Sequence, residues 1–223
     1  MKWILLVVLA LSLCVGCSEK PTFSFPQVEG PSYCYLVWMM YDNSLWLYTG
    51  VLPNAERIHV VSAQDKLAPA RDIIDYGSRV EEVSEYDSCD PSNLRAFILK
   101  HKTQADYLVV HISGHGIPGW GMGPDYSAQS VMQWKEIVEG VNGLGVDLLL
   151  LDGCKTFDDE MIELLRGTDI KNMVGSIANV TIGAMHPQHQ IIALASHNWT
   201  PREYCQQHWG AMPDAFNWVE LTP

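Results

Sequence analysis

The stretches YLVVHISGHG (residues 107–116) and VDLLLLDGC (residues 146–154) decide how this chain folds. Each is a continuous apolar run of strand length. Each ends in small residues and one residue of chemical interest: His115 after the first run and Cys154 after the second. A run that is apolar at nearly every position, rather than at alternate ones, belongs to a strand covered on both faces, as in the parallel sheet of an α/β protein. Between the two runs, Val131 to Val141 reads as a helix, which a crossover between parallel strands requires. Sites in such sheets form beyond the carboxyl ends of the strands. His115 and Cys154 both fall there.

Outward from these runs the alternation continues. Tyr33 to Met40 (YCYLVWMM), Ile58 to Val61 and Met173 to Ile177 read as further strands. Tyr41-Asp42-Asn43-Ser44 reads as a turn. Pro91-Ser92-Asn93 reads as the cap of a helix over Leu94 to Lys100, and Thr156 as the N-cap of a helix running to Leu165. Ile117 to Pro124, rich in Gly and Pro, reads as a loop. Gln190 to His208 is mixed, with a helix after Thr200-Pro201. The expected fold is α/β: a three-layer sandwich with a mostly parallel central sheet and helices on both faces, in one domain over residues 33–223.

Composition agrees. At 223 residues, 48% apolar and 18% charged, the chain suits one globular domain and neither a disordered polymer nor a multi-span membrane protein. Its net charge of -12 repels a polyanion, so no nucleic-acid partner is expected. Residues 1–16 read as a signal peptide: Met1-Lys2, an apolar run from Trp3 to Leu13, then Cys14-Val15-Gly16-Cys17. Gly16-Cys17 resembles the bacterial lipobox, which implies lipidation at Cys17; ordinary signal cleavage is the other reading. Residues 17–32, with Pro21, Pro26, Gly30 and Pro31, read as a tether. The expected location is the bacterial cell envelope, with a lipid in the membrane and the domain facing the periplasm or exterior. Cys34, Cys89, Cys154 and Cys205 either pair as disulfides or leave one thiol for chemistry.

A nucleophilic Cys acts as its thiolate and needs a base or an electropositive neighbour. Neighbouring strands lie about 4.8 Å apart, so His115 would reach Cys154 if their strands are adjacent. A helix beginning at Thr156 would add partial positive charge beside the sulfur. The amides of Gly116 and Cys154 suit an oxyanion. The plainer alternative is a structural Cys and a loop His. GHGIPG (residues 114–119) matches a dinucleotide fingerprint, but Trp120 to Pro124 would not start the helix such a site needs. His186, His189, Cys205 and His208 are of zinc-ligand type and read more simply as loop and surface residues.

At these residues the chain resembles the clostripain-like cysteine peptidases, relatives of caspases, gingipains and legumain. CYLVWMMYDNSLW (residues 34–46) resembles that family's opening strand and its Met-x-x-Asp-Asn-x-Leu signature. DSCDPSNLRAFILKHKTQADYLVVHISGHGIPGWG (residues 87–121) resembles the helix that leads into the histidine strand. VDLLLLDGCKTFDDEMIELL (residues 146–165) resembles the cysteine strand and its following helix, and DIKNMVGSIANVTIGAMHP (residues 169–187) the segment that closes the substrate pocket. The resemblance implies a caspase–hemoglobinase-like fold and a cysteine endopeptidase. His115 would be the general base and Cys154 the nucleophile. Asp152 and Ser176 would line the pocket for the residue before the cleaved bond, with Arg or Lys the family's preference. The partner would be a peptide or protein substrate. Calcium assists some relatives, and nothing in this sequence indicates a cofactor. Ser176-Ile177-Ala178 and Gly183-Ala184 stand where the family carries Ser-Gln-Glu and Gly-Trp. That departure also fits a non-catalytic envelope lipoprotein that keeps the fold as a binding module.

Overall fold

A computed structural model describes residues 29–40, 57–65, 80–87, 89–125, 130–180, 185, 187–212 and 214–221. The signal segment 1–16, the tether up to residue 28, the turn at 41–44, Gly183-Ala184 and His186 lie outside these residues.

The strands are β1 (Tyr33–Met39), β2 (Ile58–Asp65), β3 (Val80–Tyr86), β4 (Tyr107–Ser113), β5 (His115–Ile117), β6 (Gly121–Gly123), β7 (Met132–Gln133), β8 (Leu148–Asp152), β9 (Asn172–Ser176) and β10 (Phe216–Glu220). The helices are α1 (Pro91–His101), α2 (Trp134–Val141), α3 (Asp159–Leu165), α4 (Pro187–Ser196) and α5 (Pro201–Tyr204), which runs into a π-helical turn at Cys205–Trp209. The main sheet has the order β10-β9-β8-β4-β1-β2-β3. All its pairings are parallel except β10 against β9.

Helices cover both faces, and the sequence explains why. Every residue of β1 is buried, so alternate side chains enter two different cores. Leu36 and Trp38 pack with Phe97 and Ile98 of α1, Ile137 of α2, and Met161 and Leu165 of α3. Tyr35 and Val37 pack with Ile191 and Leu194 of α4, and with Tyr204 and Trp209. The expected three-layer α/β sandwich is thus what the chain forms. Among the described residues no helix is long and apolar enough to cross a membrane.

Several local readings change. Residues 117–124 are not simply a loop. β5, β6 and β7 form a small antiparallel sheet, with His115 opposite Gly123 and Met122 opposite Met132. Strand pairing of Met132 and Gln133 delays α2 to Trp134, where a Gln133–Glu136 capping box opens it. Asp90, not the Pro91-Ser92-Asn93 triplet, caps α1 by accepting from the Ser92 amide. β3 (VEEVSEY) and β10 were not foreseen. Thr200 caps α5 with a reciprocal Glu203 contact, as the Thr-Pro signal implied.

The π-helical turn sets His208 against Tyr204 and Trp209, with ring centroids 5.3 and 4.9 Å away. Burial, reinforced by His197 and His189, holds His208 below the ordinary histidine range. The unfolded chain therefore binds this proton first as pH falls below about 6.5, and stability is lost across that window. His208→Gln is expected to lose less unfolding free energy than the parent between about pH 7 and pH 5 in urea titrations. An equal loss in both proteins would reject this linkage.

Candidate active site

β4 and β8 are hydrogen-bonded parallel neighbours in a register that sets Ser113 opposite Asp152. Past these two residues both chains leave the sheet side by side. The Gly114 amide still donates to the Asp152 carbonyl at 3.0 Å. One chain then continues through His115 into β5, and the other through Gly153 to Cys154.

The two exits are in backbone contact. A Cβ on Gly116 would lie 2.0 Å from the Cys154 carbonyl oxygen and 2.9 Å from its nitrogen. One on Gly153 would lie 2.6 Å from the Gly114 carbonyl oxygen. Only glycine permits such an approach. His115 and Cys154, each half-buried, therefore lie on segments whose backbones are in contact.

The Cys154 turn is fixed from beneath. Lys155 adopts a left-handed backbone (φ 51°), unusual for a residue with a Cβ, and its amide donates to the Ala178 carbonyl at 3.0 Å. Fully buried Thr156 donates through its hydroxyl to the Leu151 carbonyl at 2.7 Å and accepts from the Ser176 amide at 3.1 Å. The Ser176 hydroxyl, also buried, donates to the Gly153 carbonyl. The Cys154 thiol donates to the Val180 carbonyl at 3.5 Å. Segment 176–180 thus runs along the turn as a frame for it.

Thr156 is accordingly not the helix cap expected of it. Asp158 caps α3, accepting from the Glu160 amide at 2.9 Å, and the helix starts at Asp159. The second Asp158 oxygen accepts from the Gly119 amide at 3.0 Å and ties the β5–β6 turn to α3. The helix N-terminus therefore lies further along the chain from Cys154 than a Thr156 cap would place it.

Asp152 lies at the end of β8 with 4% of its surface exposed. Its Oδ2 accepts from the Ser113 hydroxyl at 2.8 Å and lies 3.8 Å from Nε2 of His111. Nδ1 of His111 is 2.6 Å from the Tyr35 hydroxyl. The sequence reading missed this row of Tyr35, His111 and Ser113. Its signal was a polar His and Ser inside the apolar strand YLVVHIS.

Cys34, Cys154 and Cys205 are free thiols. Cys89 donates its thiol to the Ser130 carbonyl at 2.9 Å. Burial pushes the Cys205 thiol far above the usual cysteine range. His208 stacks on Tyr204, and His189 is exposed. Among the described residues no group of three or more His, Cys, Asp or Glu is arranged to hold a metal ion.

No protein-family model matches this chain, and no curated protein matches it. Among solved structures it is similar to a secreted C11 cysteine protease from Bacteroides thetaiotaomicron in complex with an irreversible peptide inhibitor. The identity is 19% and the TM-score 0.49, over 68% of this chain and 50% of that one. It is also similar to an inactive zymogen C11 protease from Parabacteroides distasonis, at 19% identity and TM-score 0.48, over 69% of this chain and 51% of that one. The chain spans about half the length of both. Both are of the C11, or clostripain-like, class that the sequence resembles.

Gly116→Ala is expected to force the His115 strand away from Cys154. Overpacking of this kind costs about 1–3 kcal/mol, readable as a lower urea midpoint with an unchanged slope. An unaltered midpoint would mean that the two backbones are not in contact.

Proposed function

We propose that this chain is a cysteine endopeptidase that uses Cys154 as nucleophile and His115 as general base. The observation that carries the reading is the paired exit of β4 and β8, with the Gly116 backbone against that of Cys154. A free thiol has a pKa of about 8.5, so a neutral-pH nucleophile needs an acceptor for its proton. In this reading His115 takes it. The Cys154 thiolate attacks the peptide carbonyl, and the amides of Gly116 and Cys154 receive the oxyanion. The resulting imidazolium protonates the leaving amine, which departs and leaves a thioester on Cys154. A water molecule, deprotonated by His115, attacks the thioester and frees the new carboxyl end and the thiol.

Asp152 would pair with an Arg or Lys side chain before the cleaved bond. Ser176, expected to line the same pocket, is fully buried and gives its hydroxyl to the Gly153 carbonyl, so that it would support the pocket from beneath. Lipidation at Cys17 would hold the domain at the bacterial envelope, where protein substrates are met. A second reading has its own support. The thiol of Cys154 donates to the Val180 carbonyl, a bond that suits a protonated and resting sulfur. A lipoprotein using the fold only to bind a peptide would keep that bond permanently.

Hydrolysis of fluorogenic peptides separates the two. Cys154→Ala is expected to abolish turnover, and His115→Ala to lower it by about 10²–10⁴-fold. Wild-type turnover in both variants would remove the dyad. Asp152→Asn is expected to lose cleavage after Arg and Lys while keeping cleavage after neutral residues. Parallel loss on every substrate would deny Asp152 a part in selection.

A further inference from the structure

Beneath the strand ends a row of buried polar groups crosses three strands: Tyr35 on β1, His111 and Ser113 on β4, and Asp152 on β8. Tyr35 and His111 are fully buried and Asp152 nearly so. All four belong to the layer under α4, because side chains two apart on a strand share a face and Val109 and Leu150 pack there. That layer is mostly apolar, with Gln190, which accepts from the Tyr204 hydroxyl, among its other buried polar side chains. Burial raises Tyr33, Tyr204 and Cys205 and lowers His208. Arg57 is spent on the carbonyls of Ala195 and His197, at 2.7 and 2.8 Å. Glu203 is exposed and bonded to Thr200. A carboxylate in such a layer pays a desolvation cost that one serine hydroxyl offsets only in part.

We propose that Tyr35 and His111 are positioning residues that hold the Asp152 carboxyl group in place beneath the paired strand exits, and so set the preference for a cationic side chain. Neutral imidazole has one donor nitrogen and one acceptor. We assign the ring proton to Nε2, so that the Tyr35 hydroxyl, 2.6 Å from Nδ1, donates to it. Nε2 lies 3.8 Å from Oδ2 of Asp152, too long for a hydrogen bond but close enough for the N–H dipole to attract that oxygen. Among the described residues Nε2 has no hydrogen-bond partner. A buried donor left unmatched is costly; here its orientation supplies the reason. Ser113 holds the same oxygen from the side, at 2.8 Å.

This rests on the peptidase reading for its consequence but not for its geometry, so the test has two arms. In ¹⁵N NMR of the whole domain, His111 is expected to carry its proton on Nε2, with a bare Nδ1. Its Nε2 resonance should shift in Asp152→Asn. A bare Nε2, or an Nε2 resonance indifferent to Asp152→Asn, would overturn the proposal whether or not any peptide is cleaved. In the kinetic arm, Tyr35→Phe is expected to raise KM for Arg peptides about tenfold, the effect of weakening one bond to a charged group, with kcat and neutral peptides unchanged. An equal KM change on Arg and neutral peptides would mark a merely structural role and defeat the proposal. Absence of hydrolysis by the wild-type domain would instead count against the peptidase reading, with the NMR arm still deciding this one.

Discussion

The structure depends on the register of β4 against β8. Side chains on a strand alternate with period two, so a slip of one residue would send every side chain of β8 to the opposite face. Asp152 would then point into the layer of α1, α2 and α3, which is filled mainly by aliphatic and aromatic side chains, and would lose the Ser113 hydroxyl. The apolar neighbours Leu149 and Leu151 would move to the other face with it. Burial on both faces thus selects the pairing of Ser113 with Asp152, and that pairing brings the exits with His115 and Cys154 side by side. The placing of the proposed dyad comes from sheet packing carried two residues past the end of the sheet.

What lies beyond the sheet is held by hydrogen bonds rather than by apolar area. Thr156 and Ser176 are buried hydroxyls whose partners are backbone groups of the Cys154 turn and the segment beside it. Their removal would leave carbonyls and amides unmatched in the interior, the costly outcome for buried polar groups. Lys155 in the left-handed region is a local strain of about 1–2 kcal/mol by steric argument. Such strain persists where the surroundings over-determine the backbone, often at functional sites. The small antiparallel sheet does the same for the other exit. Pairing with β6 stiffens β5 just after His115, and Asp158 ties the following turn to α3.

Much of this was legible in the sequence, for physical reasons. β1, β4 and β8 are continuous apolar runs because both faces are covered, and a run of that kind admits few alternatives. The placing of His115 and Cys154 at strand ends followed from where those runs stop. The edge strands were not legible. β3, as VEEVSEY, carries the charges that edges use against aggregation and so lacks the hydrophobic signature of a strand. β10 is short and its exposure is mixed. β5 to β7 are two- and three-residue strands in a Gly-rich stretch, where tertiary pairing overrides local preference. Thr156 followed by Asp159 imitates a capping box, but its hydroxyl is taken by the Leu151 carbonyl, so the cap passes to Asp158. The contact of His111 with Asp152 joins two strands, and no local pattern announces it.

The central claim is that one sulfur among several is poised for attack at the end of β8. The most direct measurement is mass-spectrometric mapping of the adduct formed when the folded domain meets a peptide carrying a thiol-reactive electrophile. Cys34 and Cys205 are buried to 1% and 0% exposure, and Cys89 is bonded to Ser130, so the account predicts a single adduct on Cys154. An adduct on Cys89 with Cys154 untouched, under conditions where the domain stays folded, would contradict it.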